Sequence, residues 1–121
     1  MQILGSTSGA TGTTVAGFST SGGSSLSQLN NPSSIVLDDY GTLYVLDTNN
    51  YRVMKFLPDE PLGARVAGSG VSGTTLDRIG VSYGMALDRQ SNIYVCEYGN
   101  NRVTKWMAGN IGNGTIVCIP I

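Results

Sequence analysis

Short apolar runs separated by turn-forming residues recur along this chain of 121 residues. In the run at 52–56, polar and apolar side chains alternate, which is typical of a strand with one buried face. Segments rich in Asp, Asn, Gly and Pro separate the runs, so consecutive strands are predicted to pair antiparallel through tight turns. Eight strands are predicted in two groups, at 34–37, 43–46, 52–56 and 64–67, then at 84–87, 93–96, 102–106 and 115–119.

The two groups carry the same sequence pattern 50 residues apart. Corresponding residues include Asp38 and Asp88, Tyr44 and Tyr94, Asn50 and Asn100, Arg52 and Arg102, and Lys55 and Lys105. Such self-similarity indicates stacked supersecondary units, none of which buries its apolar face alone. We therefore predict an all-β fold with one four-stranded antiparallel sheet at 31–68 and another at 80–121.

The pattern extends backwards into residues 1–17, which match the third and fourth strands of a unit. These two strands have no first and second strand of their own unit to accompany them. We expect them to pair with strands of another chain. The residues predicted for these intermolecular strands are Met1, Gln2, Ile3, Leu4, Val15 and Ala16.

The repeated residues resemble those of the NHL-repeat family. Leu37-Asp38, Leu43-Tyr-Val45 and Asp47-x-x-Asn-x-Arg52 recur as Leu87-Asp88, Ile93-Tyr-Val95 and Glu97-x-x-Asn-x-Arg102. The resemblance covers nearly the whole chain and implies that each unit is a blade of a β-propeller, with residues 1–17 as a half-blade. Two positions depart from the pattern: Glu97 replaces an Asp, and Gly84 stands near the place where Pro32 leads us to expect a proline.

The polar motif of each unit is interpreted as structural. The carboxylate of Asp47 is expected to accept backbone N–H groups of its own turn, and Arg52 to bond either that carboxylate or carbonyls of the neighbouring blade. A feature that occurs once per blade is better suited to stabilising each hairpin than to catalysis. The motif consists of Asp47, Asn50 and Arg52, repeated as Glu97, Asn100 and Arg102.

Large apolar side chains also recur. At repeat-equivalent sites, such side chains are expected to pack between blades; they are Tyr44, Phe56, Tyr94 and Trp106. Cys96 and Cys118 replace small or apolar residues of the equivalent unit, so both are predicted to be buried, reduced thiols.

Composition removes several chemistries. The chain contains no histidine, which excludes Ser–His and Cys–His dyads and histidine-ligated metals within it. Acidic residues in the turns, Asp38, Asp39, Asp59, Glu60 and Asp88, are calcium-ligand candidates, yet none shows EF-hand spacing. No metal, cofactor or catalytic residue is predicted.

Charge and hydropathy give little indication of a macromolecular partner or of a compartment. Seven basic and eight acidic residues leave a net charge of −1, which argues against nucleic acid as a partner. Some family members bind RNA through a basic face, but here Arg52, Lys55, Arg102 and Lys105 form only a sparse stripe. No run of about 18 apolar residues predicts a membrane span. Asn113-Gly-Thr115 is one N-glycosylation triplet, and the localisation stays open.

Two and a half units do not close a propeller. The ring is therefore expected to be completed either by copies of the chain, two or three in number, or by further blades of a longer parent. We expect a non-enzymatic scaffold that self-assembles and presents a surface for a protein, peptide or glycan. The alternatives are part of an NHL-type lyase or hydrolase with its active residues in missing blades, and an RNA-binding propeller.

Overall fold

The structure, a computed structural model, describes residues 11–17, 21–109 and 112–117. These residues form two four-stranded antiparallel sheets, each with its strands in sequence order, which confirms the predicted all-β fold. The first sheet consists of β1 (Pro32–Leu37), β2 (Leu43–Asp47), β3 (Arg52–Phe56) and β4 (Ala64–Ala67). The second consists of β5 (Gly84–Leu87), β6 (Ile93–Glu97), β7 (Arg102–Trp106) and β8 (Thr115–Ile116).

Strand ends differ slightly from those predicted. β2 and β6 each extend by one residue to an acidic side chain, because Asp47 pairs with Arg52 and Glu97 pairs with Arg102 across the ladder. A single 3₁₀ turn, at Thr48–Asn50 and again at Tyr98–Asn100, then reverses the chain. β8 is shorter than the predicted strand at 115–119, of which the last two residues lie outside the described part of the chain.

The main core lies between the two sheets, where the innermost strands β1 and β5 are neighbours. It combines side chains from both sheets with one residue from the loop that connects them. These core residues are Tyr44, Leu46, Val53, Ala67, Ile79, Ile93, Val95 and Trp106. All are almost fully removed from solvent, so burial of apolar surface between the sheets fixes their relative position.

The first sheet is also covered on its other face. Val45, Met54 and Phe56 form a second buried cluster there, against which Ala16 and Leu29 pack. The segment before β1 therefore shields the part of this face formed by Val45, Met54 and Phe56.

An aromatic residue ends the third strand of each unit and packs against a glycine. A Cβ atom at Gly63 would lie 2.7 Å from the Phe56 ring, and one at Gly114 would lie 2.7 Å from the Trp106 ring. Both glycines also donate backbone hydrogen bonds into the preceding loop, to Leu26 O and Leu76 O. A larger residue at either position would displace the ring from its core.

The described part of the predicted half-blade contains no strand. Residues 11–17 have no regular structure, although a strand is predicted at 13–17, and Val15 is exposed. The outermost strand of a blade pairs only with the third strand, as β4 pairs only with β3. The residues predicted for that third strand, Met1, Gln2, Ile3 and Leu4, lie outside the described residues.

Candidate functional site

The acidic residue that ends β2 binds three donors. Asp47 is fully buried, and its Oδ1 accepts a hydrogen bond from the Asn30 backbone N–H at 2.7 Å. Its Oδ2 accepts from Asn50 Nδ2 and Arg52 Nε, both at 2.8 Å. The expectation that Asp47 accepts backbone N–H groups of its own turn is therefore wrong. That turn is a 3₁₀ turn without a side-chain cap.

Arg52 and Asn50 connect this carboxylate to the long loop that leads into β1. The Arg52 guanidinium donates to the carbonyls of Ser24, Ser25 and Gln28 at 2.9–3.0 Å, and Asn50 donates to Gly23 O at 2.8 Å. These acceptors belong to the loop before the same sheet and not to a neighbouring sheet. We call the acid, Asn and Arg together the loop clamp.

The second unit contains the same loop clamp, displaced by 50 residues. Glu97 Oε1 accepts from Gly80 N at 3.1 Å, Asn100 Nδ2 at 2.8 Å and Arg102 Nε at 3.0 Å. The remaining bonds also have their counterparts in the first unit: Asn100 donates to Gly73 O, and Arg102 donates to the carbonyls of Thr74, Thr75 and Arg78. In both clamps, the charged side chains bond each other and the backbone of the preceding loop.

The longer acid of the second unit makes one additional bond. Glu97 Oε2 accepts from Thr104 Oγ1 at 2.6 Å, and Thr104 Oγ1 accepts from Trp106 Nε1 at 3.0 Å. The equivalent positions in the first unit are the apolar Met54 and Phe56. Glu97 therefore has a buried polar partner, Thr104, that Asp47 lacks. The sequence pattern did not predict this bond.

The four predicted packing aromatics are divided among three faces. Tyr44 and Trp106 lie between the two sheets. Phe56 packs on the opposite face of the first sheet, and Tyr94 lies on the opposite face of the second sheet, half-buried.

The outer face of the second sheet is partly open to solvent. It carries Tyr94, Cys96 and Val103, which occupy the positions of Tyr44, Leu46 and Val53 in the first unit. We call it the open face. Cys96 is exposed there, so the prediction of a buried thiol is wrong at this position, because no described segment covers it. Cys118 lies outside the described residues.

Asp38 and Asp88 fold the turns that follow β1 and β5. Asp88 Oδ1 accepts from the backbone of Gln90 and Asn92, and Oδ2 accepts from Asn92 Nδ2 and Tyr94 Oη. Desolvation raises the pKa of Asp88, but these hydrogen bonds outweigh it and hold the pKa below its ordinary value. Among the described residues, no three Asp, Glu or Cys side chains converge as metal ligands.

The basic residues expected to form a stripe have different environments. Arg52 and Arg102 are committed to the loop clamps. Lys55 and Lys105 lie above the rings of Tyr44 and Tyr94, with Nζ 6.0 and 5.6 Å from the ring centroids. Of the four basic residues in the expected stripe, only the two lysines therefore remain available to bind a partner. No helix in the described part of the chain is long and apolar enough to cross a bilayer.

A family model for the NHL repeat matches residues 29–56, which span β1 to β3. Comparison with curated proteins gives no match. The second sheet repeats the topology, the ladder register and the clamp of the matched segment at an offset of 50 residues. Residues 29–56 are therefore similar to an NHL repeat, and the two sheets of the chain are blades of the propeller type.

Proposed function

We propose that this chain is a non-enzymatic propeller segment that assembles with copies of itself through its open face to close a ring. The observation that carries the proposal is a difference in burial between equivalent positions. Leu46 and Val53 are fully buried against the second sheet, whereas Cys96 and Val103, at the same strand positions 50 residues later, are exposed and half-exposed.

The inter-sheet core indicates what fits such a face. In that core, the Leu46 face of one sheet packs against the Val95 and Trp106 face of the next sheet. The open face repeats the first of these surfaces, so a sheet presenting the second type of surface complements it. An uncovered apolar sheet face favours association. A contact between two different faces of identical chains is head-to-tail, and it closes into a ring when the rotation permits.

The absence of catalysis is part of the same proposal. The carboxylates of Asp47 and Glu97 are fully buried and bonded to arginine, asparagine and backbone. A general acid or base has to reach a substrate proton, which these carboxylates do not. The ring is then proposed to present a surface for a protein, peptide or glycan.

Native mass spectrometry and light scattering of the purified chain test the assembly. We expect a defined multiple of the 12.7 kDa chain. Val103→Arg places a charge in the centre of the open face and should convert the assembly to monomers, because burying an unpaired charge is costly. Gln90→Arg, at an exposed turn position, serves as the matched control and should assemble normally.

Three results would contradict the proposal. One is a stable, non-aggregating monomer of the unaltered chain. Another is an assembly that Val103→Arg leaves intact, which would place the contact elsewhere. Assembly lost equally in Val103→Arg and Gln90→Arg would likewise argue against a specific role of the open face.

A further inference from the structure

A cleft of about 270 Å³ lies between the two sheets, beside their first turns. The first unit contributes Asp38, Tyr40, Tyr44 and Lys55 to its walls, and the second contributes Ser91 and Met107. Its volume is close to the lower end of the roughly 300–1,000 Å³ of ordinary small-molecule pockets. The cleft therefore suits one small molecule.

One wall of the cleft contains a buried hydroxyl without a partner. Tyr44 is only 3% exposed, yet among the described residues its hydroxyl makes no hydrogen bond; its one polar contact is Lys55 Nζ above the ring. Buried polar groups are nearly always hydrogen-bonded, because leaving one unpaired is costly. The Tyr44 hydroxyl thus indicates a missing partner in the cleft.

In the second unit, the hydroxyl of the equivalent Tyr94 has a hydrogen-bond partner within the chain. Tyr94 donates to Asp88 Oδ2 at 3.2 Å, and Asn92 donates to the same oxygen at 3.0 Å. In the first unit Thr42 replaces Asn92. Asp38 Oδ1 accepts from two backbone N–H groups of its turn, but Oδ2 accepts no hydrogen bond within the described residues.

The other lining groups are also available. Lys55 forms no ion pair with any described residue, so Asp38 and Lys55 give the cleft one negative and one positive charge. Tyr40 is 87% exposed and Met107 is half-exposed, which leaves an aromatic ring and an apolar side chain at the cleft wall.

We infer that this cleft binds a neutral sugar residue. Sugar hydroxyls both donate and accept, so one molecule can satisfy the Asp38 carboxylate, the Tyr44 hydroxyl and the Lys55 ammonium. The C–H face of a sugar ring packs on an aromatic side chain such as Tyr40. The opposite charges of the cleft favour a ligand without net charge. The cleft lies within one chain, so this inference does not rest on the proposed assembly.

A titration of the ¹⁵N-labelled chain with neutral sugars, followed by amide chemical shifts, tests the inference. The probes are glucose, galactose, mannose and N-acetylglucosamine, with the zwitterion diglycine in a separate arm. We expect at least one sugar to give saturable shifts at residues that line the cleft. Tyr44→Phe, which removes only the hydroxyl, should weaken that sugar about three- to tenfold, because one hydrogen bond is lost.

Lys55→Met should also weaken the sugar, and Tyr98→Phe is the control, since Tyr98 is exposed and lies outside both the cleft and the open face. Unchanged amide spectra of the free variants establish that each one folds. The inference is overturned if no sugar gives saturable shifts, if diglycine alone does, or if Tyr44→Phe binds as the unaltered chain does. Equal weakening by Tyr44→Phe and Tyr98→Phe would overturn it as well.

Discussion

At the scale of single residues, the length of one acidic side chain determines the chemistry around it. Asp47 accepts hydrogen bonds from the backbone of Asn30 and from Arg52. The core residues at the positions of Thr104 and Trp106 are the apolar Met54 and Phe56. Glu97 has one more methylene, so its second oxygen reaches Thr104. Thr104 in turn accepts from the Trp106 indole. Each unit is thus internally consistent, although the two sets of residues differ.

Removing the hydroxyl of Thr104 should destabilise the fold. Thr104→Val leaves Glu97 Oε2 and Trp106 Nε1 without their partner in a fully buried site. We expect the free energy of unfolding to fall by about 1–3 kcal/mol, the usual cost of an unsatisfied buried polar group. Urea denaturation measures the change. Thr115→Val on β8 is the control, and because Thr115 is exposed, its effect should stay within about 0.5 kcal/mol.

Transplanting the whole set of the first unit distinguishes the hydrogen bond from packing alone. In the triple variant Glu97→Asp, Thr104→Met and Trp106→Phe, no polar group of the trio is left without a partner. We therefore expect a smaller loss per substitution than for Thr104→Val. A strictly additive loss in a mutant cycle would argue against coupling among the three residues.

At the scale of elements, each loop clamp holds ten residues of irregular loop against a hairpin. Residues 71–80 form five hydrogen bonds with Glu97, Asn100 and Arg102. A sixth hydrogen bond joins the Gly114 backbone N–H to Leu76 O. The loop needs these bonds because it has few apolar side chains with which to anchor itself.

Arg102→Lys should loosen this loop and leave the other one intact. Lysine keeps the charge beside Glu97 but lacks the planar fork that bonds three carbonyls and a carboxylate together. Amide hydrogen exchange in residues 71–80 is expected to accelerate about ten- to a hundredfold, which corresponds to roughly 1.4–2.8 kcal/mol of lost protection.

The first unit serves as the internal control for this variant. Residues 21–30 are held by Arg52 and should exchange as in the unaltered chain. If both loops became equally faster, the substitution would have destabilised the whole fold. If neither changed, the clamp would not be what holds the loop.

At the scale of the whole molecule, the stability of the chain is expected to depend on carboxylates in the acid range. Histidine is absent. A hydrogen bond from Thr75 lowers the pKa of Asp77, and the bonds from Asn92, Gln90 and Tyr94 lower that of Asp88 in spite of desolvation. A carboxyl whose pKa is depressed by folding stabilises the protein fully above its unfolded value, roughly 4, and loses that contribution as the pH falls.

The melting temperature should therefore decline as the pH falls below about 4. Asp88→Asn removes one of the titrating groups and its acceptor oxygen. We expect this variant to melt below the unaltered chain at neutral pH and the two to converge in acid, as measured by circular dichroism. A gap between the two melting temperatures that is constant with pH would contradict this role of Asp88.

Equivalent residues of the two blades also differ in burial. Tyr44 and Tyr94 occupy the same place in the repeat, as do Leu46 and Cys96. The first residue of each pair is buried between sheets, and the second lies on the open face. What covers a blade face depends on the next blade, so burial is a property of the assembly and not of the unit.

The repeat in the sequence was sufficient to predict the all-β architecture and the order of the strands, because alternation and turn residues act locally. It also identified Asp47, Asn50 and Arg52 as a group. It did not identify their partners, since the carbonyls of the loop clamp carry no sequence signature and lie 24–28 residues away from the arginine. The Thr104 bridge and the unpaired hydroxyl of Tyr44 depend on side-chain reach between elements.

The sequence by itself thus determined the unit: four strands, a polar motif in the tight turn and a period of 50 residues. Only the tertiary structure decided which backbone each motif holds, which face of each sheet is covered, and where polar groups remain without partners. The physical reason is range. Strand pairing within a unit follows from alternation and turns, whereas coverage and hydrogen-bond satisfaction depend on surfaces that meet only when one sheet packs on another.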